Sequence, residues 1–163
     1  MVAWRVVMES EPEFAQRAQA IMDAHRHKTI ATLRADGSPR ISGIEASFVE
    51  GQLWFGSMPD ARKGQDLRRD PRFALHSASV DPPEGQESSW SGDAKLSGRA
   101  VPVTDPDERD AVLQALGAAP GQSPDLFRAD IDEVVITRVG EPADHLVIEL
   151  WRPDRPLHRI QRR

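Results

Sequence analysis

Three short apolar runs separated by tight-turn signals limit this chain more than any other feature. The β-branched run Thr29-Ile30-Ala31-Thr32-Leu33-Arg34 leads directly into Ala35-Asp36-Gly37-Ser38-Pro39, whose Asp-Gly is a strong hairpin signal. A second strand is expected over 40–49, where Ile44, Ala46 and Phe48 alternate with Glu45 and Ser47. Glu50-Gly51-Gln52 then turns the chain into Leu53-Trp54-Phe55-Gly56, a third strand. Three consecutive antiparallel strands make a meander, so the fold class is mainly β.

The rest of the chain extends this pattern. Further strands are predicted over 72–79, 93–103, 131–139 and 145–151, with Gly98 a candidate bulge or point of close approach. Ser10-Glu11-Pro12-Glu13 reads as a capping box opening a helix over 10–25, with Phe14, Ala18, Ile21, Met22 and His25 on one face. Asp105-Pro106-Asp107-Glu108 opens another helix, which carries Val112, Leu113 and Leu116 and stops at Gly117. Leu126-Phe127 is read as a short helical turn, 80–92 and 120–124 as loops, and 152–163 as a basic C-terminal tail, either solvated or reaching across a dimer. Thirteen prolines and eleven glycines lie mostly between the apolar runs, as many short elements require. The expectation is one domain over 1–163: an α+β, mainly antiparallel barrel of six to seven strands with peripheral helices.

Composition removes several function classes. Twenty-one basic against 26 acidic residues leave a net charge of −5, which argues against a nucleic-acid-binding surface. Cysteine is absent, so disulfides, thiolate metal sites and cysteine nucleophiles are excluded. No apolar run is long enough for a membrane span, and the N-terminus is too short and too soon acidic for a signal peptide, so a cytoplasmic location is the expectation. The phosphate-loop, dinucleotide-turn, zinc-helix and nucleophile-elbow motifs are all missing. The five histidines are scattered, and no metal site is expected.

One stretch carries chemistry. Following Ser57-Met58-Pro59, Asp60 is a plausible N-cap, which places Arg62 and Lys63 in the first turn of a short helix. Free amides and the positive end of the helix dipole disfavour cations there, whereas the helices expected at 10–25 and 105–117 begin with acids. A bound anion reconciles the charge with the position, and a phosphate fits two cations beside free amides.

Taken together, Arg40-Ile41-Ser42-Gly43-Ile44, Leu53-Trp54-Phe55-Gly56-Ser57, Arg62-Lys63, Leu67 and Asp70-Pro71-Arg72-Phe73-Ala74-Leu75 resemble the pyridoxamine 5′-phosphate oxidase-like family of split β-barrel flavin-binding proteins. The resemblance implies a homodimer that binds FMN, or the deazaflavin coenzyme F-420, in a cleft between subunits, and transfers hydride to or from a small organic substrate. It places Arg62 and Lys63 on the cofactor phosphate and Arg40 near the phosphate or ribityl chain. The main chain of Phe55, Gly56 and Ser57 is implied along the ring system, and Trp151 near ring or substrate. Glu45 stands where the pyridoxamine phosphate oxidases proper tend to carry Lys, which argues against pyridoxamine phosphate as substrate. Because the cofactor ring supplies the hydride chemistry, no catalytic side chain is named. The alternatives are a non-catalytic flavin or haem carrier, with His76 or His145 as axial ligands, and an interaction module that uses the basic tail.

Overall fold

The computed structural model describes residues 1–119, 121 and 123–163. Eight strands form one antiparallel sheet in the order β3-β2-β1-β4-β5-β6-β7-β8: β1 (His27–Leu33), β2 (Pro39–Val49), β3 (Gln52–Ser57), β4 (Arg72–His76), β5 (Asp93–Pro102), β6 (Asp125–Val139), β7 (Leu146–Trp151) and β8 (His158–Arg162). A further pairing of β3 with β6, from Trp54↔Arg128 to Ser57↔Asp125, closes the first six strands into a barrel. β7 and β8 continue the sheet beyond β6. The helices are α1 (Trp4–Ser10), α2 (Pro12–Asp23), α3 (Arg62–Arg69) and α4 (Pro106–Ala115), and a short 3₁₀ turn, Glu87–Ser89, lies in the loop expected over 80–92.

Alternation along the strands fills the barrel. Ile30, Ile44, Ala46, Leu53, Phe55, Phe73, Leu75, Leu96, Phe127, Val134 and Ile136 are buried in one cluster with Trp4, Phe14 and Met22 from α1 and α2. The ring of Phe55 sits 5.2 Å from that of Phe73 and 5.9 Å from that of Phe127, a contact of the kind that adds to simple area burial. Gly98 faces a register shift between β5 and β6, and a Cβ there would lie 2.0 Å from the Asp130 carbonyl oxygen, as the expected close approach requires.

Several expectations are corrected. Leu126-Phe127 is not a helical turn: it belongs to β6, where Phe127 is needed in the barrel core. The helix expected over 10–25 runs from Pro12 to Asp23 behind a separate helix, α1, and Glu11, not Ser10, takes its N-cap position; the Ser10 hydroxyl instead accepts from Trp151 Nε1 at 2.9 Å. α2 ends at Asp23, so His25 is exposed beyond it. Within the C-terminal tail, His158–Arg162 forms β8, which with β7 extends the sheet beyond the six-stranded barrel.

β8 is held by a buried carboxylate. Glu149 on β7 is 0 % exposed and accepts from Arg17 of α2, at 2.5 and 3.1 Å, and from Arg159 of β8, at 2.7 and 3.3 Å; Arg138 of β6 lies 3.6 Å away. The hydrogen bond from Arg17 lowers its pKa first; burial opposes this, and the bonds from Arg159 add to it, leaving the carboxyl at about 2. The sequence offered no sign of this node, because its members lie 132 and 10 residues apart.

Removing one partner of a buried ion pair costs about 3–5 kcal/mol, and Glu149→Ala should lower unfolding stability by that order in urea titrations. Because the folded-state pKa lies below the ordinary carboxylate value of 4.5, the contribution is complete above pH 4.5 and is lost as pH falls towards about 2. Acid unfolding of the wild type should therefore show a component in that window that Glu149→Ala lacks.

Candidate functional site

β2 turns Gly43, Glu45 and Ser47 outward, and β3 turns Trp54 and Gly56 to the same side, so these two strands form a wall outside the barrel. Against this wall lies a groove of about 730 Å³, bounded opposite by Leu113, Leu116 and the chain after α4. Trp54 and Leu126 are buried yet stand apart from the core cluster, and both line the groove. No residue of α4 is buried. Leu113 of α4 and Leu116 just after it line the groove and are absent from the barrel core.

The beginning of α3 forms one end. Asp60 is not the N-cap: its φ of 61° turns the chain one residue early, so Ala61 takes that position and offers no side-chain acceptor. The first turn contains no acid, and Lys63 lines the groove with its Nζ donating to the Gly43 carbonyl at 2.9 Å. The contrast with other helices is narrower than expected. α4 is capped by Asp105, which accepts from the Glu108 amide at 2.8 Å, and α2 has Glu13 in its first turn. α1, however, also starts without an acid, and there the Arg5 amide is satisfied by the Gly51 carbonyl at 2.7 Å.

The other end is polar. Lys28, buried between the strands, donates to the carbonyls of Arg26 at 3.3 Å and Ala46 at 3.0 Å, fastening the turn before β1 onto β2. Burial pushes the Lys28 ammonium pKa down, while the nearby Asp23 and Glu45 pull it up. Beside this fastening, His27 and Glu45 are direct cross-strand partners. Arg26 Nη2 lies 3.0 Å from Glu45 Oε2, and His27 Nε2 lies 3.5 Å from Glu45 Oε1.

The expected site residues divide into three groups. Phe55, Gly56, Ser57 and Lys63 line the groove, Phe55 with its ring in the core and its main chain at the groove edge. Arg40 and Arg62 do not: they border a separate recess of about 300 Å³ on the other side of α3, with Arg34, Asp36, Asp66 and Arg69. There, buried Asp66 accepts from Arg40 at 2.6 Å, Arg69 at 2.9 Å and Thr32 at 3.0 Å. Burial works against its ionisation, but the three hydrogen bonds outweigh it and hold the carboxyl below its usual range. Arg40 thus ties the barrel end to α3. Trp151 is in neither place; it is buried in the core against Ser10. His76 and His145, the candidate haem ligands, are also outside the groove, whereas His27 lines it.

The sequence reading left out Gly43, Glu45, Arg26 and His27 as site residues. Gly43 was within the quoted strand pattern. Its signal was its lack of a side chain: a Cβ there would meet nothing within 4 Å, so the groove floor is open above it. Such a floor, flat at Gly43 and Gly56, with a lysine at one end and apolar cover opposite, fits a planar ring system bearing a phosphate. Among the described residues, no group of three or more His, Cys, Asp or Glu side chains is placed to hold a metal, and no helix is long and apolar enough to cross a membrane.

Comparison with known proteins agrees with the fold. A heme binding protein from Mycobacterium smegmatis superposes with a TM-score of 0.59 at 16 % identity, over 88 % of this chain and 56 % of that one. HutZ, the heme storage protein from Vibrio cholerae, superposes at 0.54 and 16 % identity, over 78 % and 94 %. The conserved hypothetical protein Rv2991 from Mycobacterium tuberculosis does so at 0.56 and 19 %, over 77 % and 82 %. The chain thus spans little more than half the length of the M. smegmatis protein. No curated protein matches the sequence. The family model for pyridoxamine 5′-phosphate oxidase matches residues 14–141, most of the chain and all six strands of the barrel. The chain belongs to the pyridoxamine 5′-phosphate oxidase family, built on its split β-barrel.

Proposed function

We propose that this protein binds FMN or the deazaflavin coenzyme F-420 in the groove outside β2 and β3 and acts as an oxidoreductase on a small organic substrate. The observation carrying this reading is the groove floor: Gly43 and Gly56 leave a flat wall, and Lys63 stands at its end beside the uncapped start of α3. When bound, such a cofactor supplies hydride transfer at its ring. The chain's residues do the rest. Lys63 and the α3 amides hold the phosphate; Trp54, Leu126, Leu113 and Leu116 exclude water from the ring; and the main chain of 55–57 orients its edge.

The working form in this reading is a homodimer with the cofactor between subunits. Ile41, on the groove side of β2, and Met58, at the groove rim, are each 76 % exposed, and a second copy would cover them. A second reading, haem carriage without turnover, draws on the haem-associated names of two structural neighbours and on His27, a histidine inside the groove.

Titration of the purified protein with FMN, F-420 and hemin, followed by absorbance and fluorescence, separates these readings. Micromolar binding of FMN or F-420, with reoxidation of the reduced cofactor by an added acceptor, supports the first; a Soret band that His27→Ala abolishes supports the second; and failure of all three to bind sinks both.

Gly43→Val should fold with an unchanged urea midpoint, since its Cβ meets no protein atom, yet lose cofactor binding by filling the floor. Lys63→Ala should weaken FMN or F-420 binding by about 1.5–3 kcal/mol, the range for a hydrogen bond to a charged group. A larger loss in Arg62→Ala than in Lys63→Ala would put the phosphate on the recess side of α3 instead.

A further inference from the structure

β8 is the last strand of the sheet, and no strand among the described residues pairs with its far side. Alternate residues of such an edge turn unpaired N–H and C=O groups outward, a template for one more strand. A comparable stretch of β6 is covered by the chain itself. Past the pairing with β3, the Val2 amide donates to the Ile131 carbonyl at 3.0 Å and the Val2 carbonyl accepts from the Ile131 amide at 2.8 Å.

Charge selects what can add to β8. Between Arg152 and Arg163 the chain carries five arginines against one aspartate, although its net charge is −5. Arg152 is paired with Glu133 and Arg159 with Glu149, whereas Arg155 and Arg162 have no ion pair among the described residues. A second β8 laid against the first would set one basic tail on another, so the edge is guarded against its own kind and open to an acidic strand.

Register sets the spacing. Cross-strand partners share a face, so Ile160 continues a row from Thr137 and Ile148, while Arg162 stands beside Leu146 and His158 beside Leu150. These positions alternate with buried Val147, Glu149 and Trp151, and Leu146 on their face is 39 % exposed. A ninth strand would place an apolar residue beside Ile160 and acids beside Arg162 and His158. The pattern, acid-x-apolar-x-acid, reads the same in both directions, so it serves a parallel or an antiparallel addition.

We propose that the free edge of β8 is a docking site for an extended acidic segment of a partner protein, which adds to the sheet as a ninth strand with this pattern. The proposal is independent of what the groove binds.

The test titrates the ¹⁵N-labelled full chain with the peptide acetyl-Thr-Glu-Thr-Val-Thr-Glu-Thr-amide. Saturable NMR shifts and slowed amide exchange over 158–162 are expected. Peptides N-methylated at alternate residues separate main-chain pairing from charge: one set of methyl groups should abolish binding and the other should leave it intact. Arg162→Glu, at an exposed side chain without an ion pair, should weaken binding about 2- to 30-fold, and should strengthen binding of the peptide with Lys in place of both Glu. Absence of saturable shifts at millimolar peptide, equal binding by the two methylated forms, or equal affinity of the Glu and Lys peptides for the wild type overturns the proposal. So does a self-associated chain in which exchange over 158–162 is already slow before peptide is added, since a second copy would then hold the edge.

Discussion

Closure of the barrel through β3 and β6 is the constraint on which the rest of the molecule depends. Four cross-strand pairs, Trp54↔Arg128 to Ser57↔Asp125, turn an open meander into a cylinder, removing two sheet edges that would otherwise carry unpaired amides. Closure also fixes which face of β3 is inside. Phe55 must point inward to meet Phe73 and Phe127, so Trp54 and Gly56 must point outward. The groove is therefore a by-product of core packing: the residues that fill the barrel dictate the ones that line its outer wall.

Helix α3 is held at the barrel end by charge. Asp66 gathers Thr32, Arg40 and Arg69, while Arg68 forms a bidentate pair with Asp125 and lies 5.8 Å over the Phe127 ring. These contacts anchor the middle and end of the helix. Its first turn is left without an acid or side-chain cap, and that asymmetry makes the Lys63 end of the groove electropositive. Glu149 does comparable work for β8 and α2.

How much of this was legible in the sequence follows from the range of the interactions involved. The hairpins at Asp36-Gly37 and Glu50-Gly51, the Asp105 cap and the Gly98 contact with β6 all rest on local chemistry or on a single residue type, and each was read correctly. Leu126-Phe127 was misread because nothing local shows that β6 starts early to close the barrel on β3. β8 was missed because its anchor, Glu149, is reached by no local rule. For the site, adjacency in sequence does not mean adjacency in space. Arg62 and Lys63 are neighbours, but one residue of helix is 100° of rotation, and the two line different cavities beside α3. Arg40, on an inward-facing position of β2, joins Asp66 at the barrel end. His27 and Glu45, eighteen residues apart, meet only through strand register.

The two walls of the groove differ in how firmly they are built. One is barrel sheet, hydrogen-bonded on both edges and backed by the core; the other is α4, which buries no residue of its own. Local opening free energy follows buried contact, so α4 can shift or fray at small cost while the sheet cannot. A ligand of unusual bulk would be accommodated by displacement of α4, whereas a ligand whose flat face mismatched the Gly43-Gly56 floor would find nothing able to yield. Shape tolerance in this protein is therefore one-sided: narrow along the sheet and wide towards the helix.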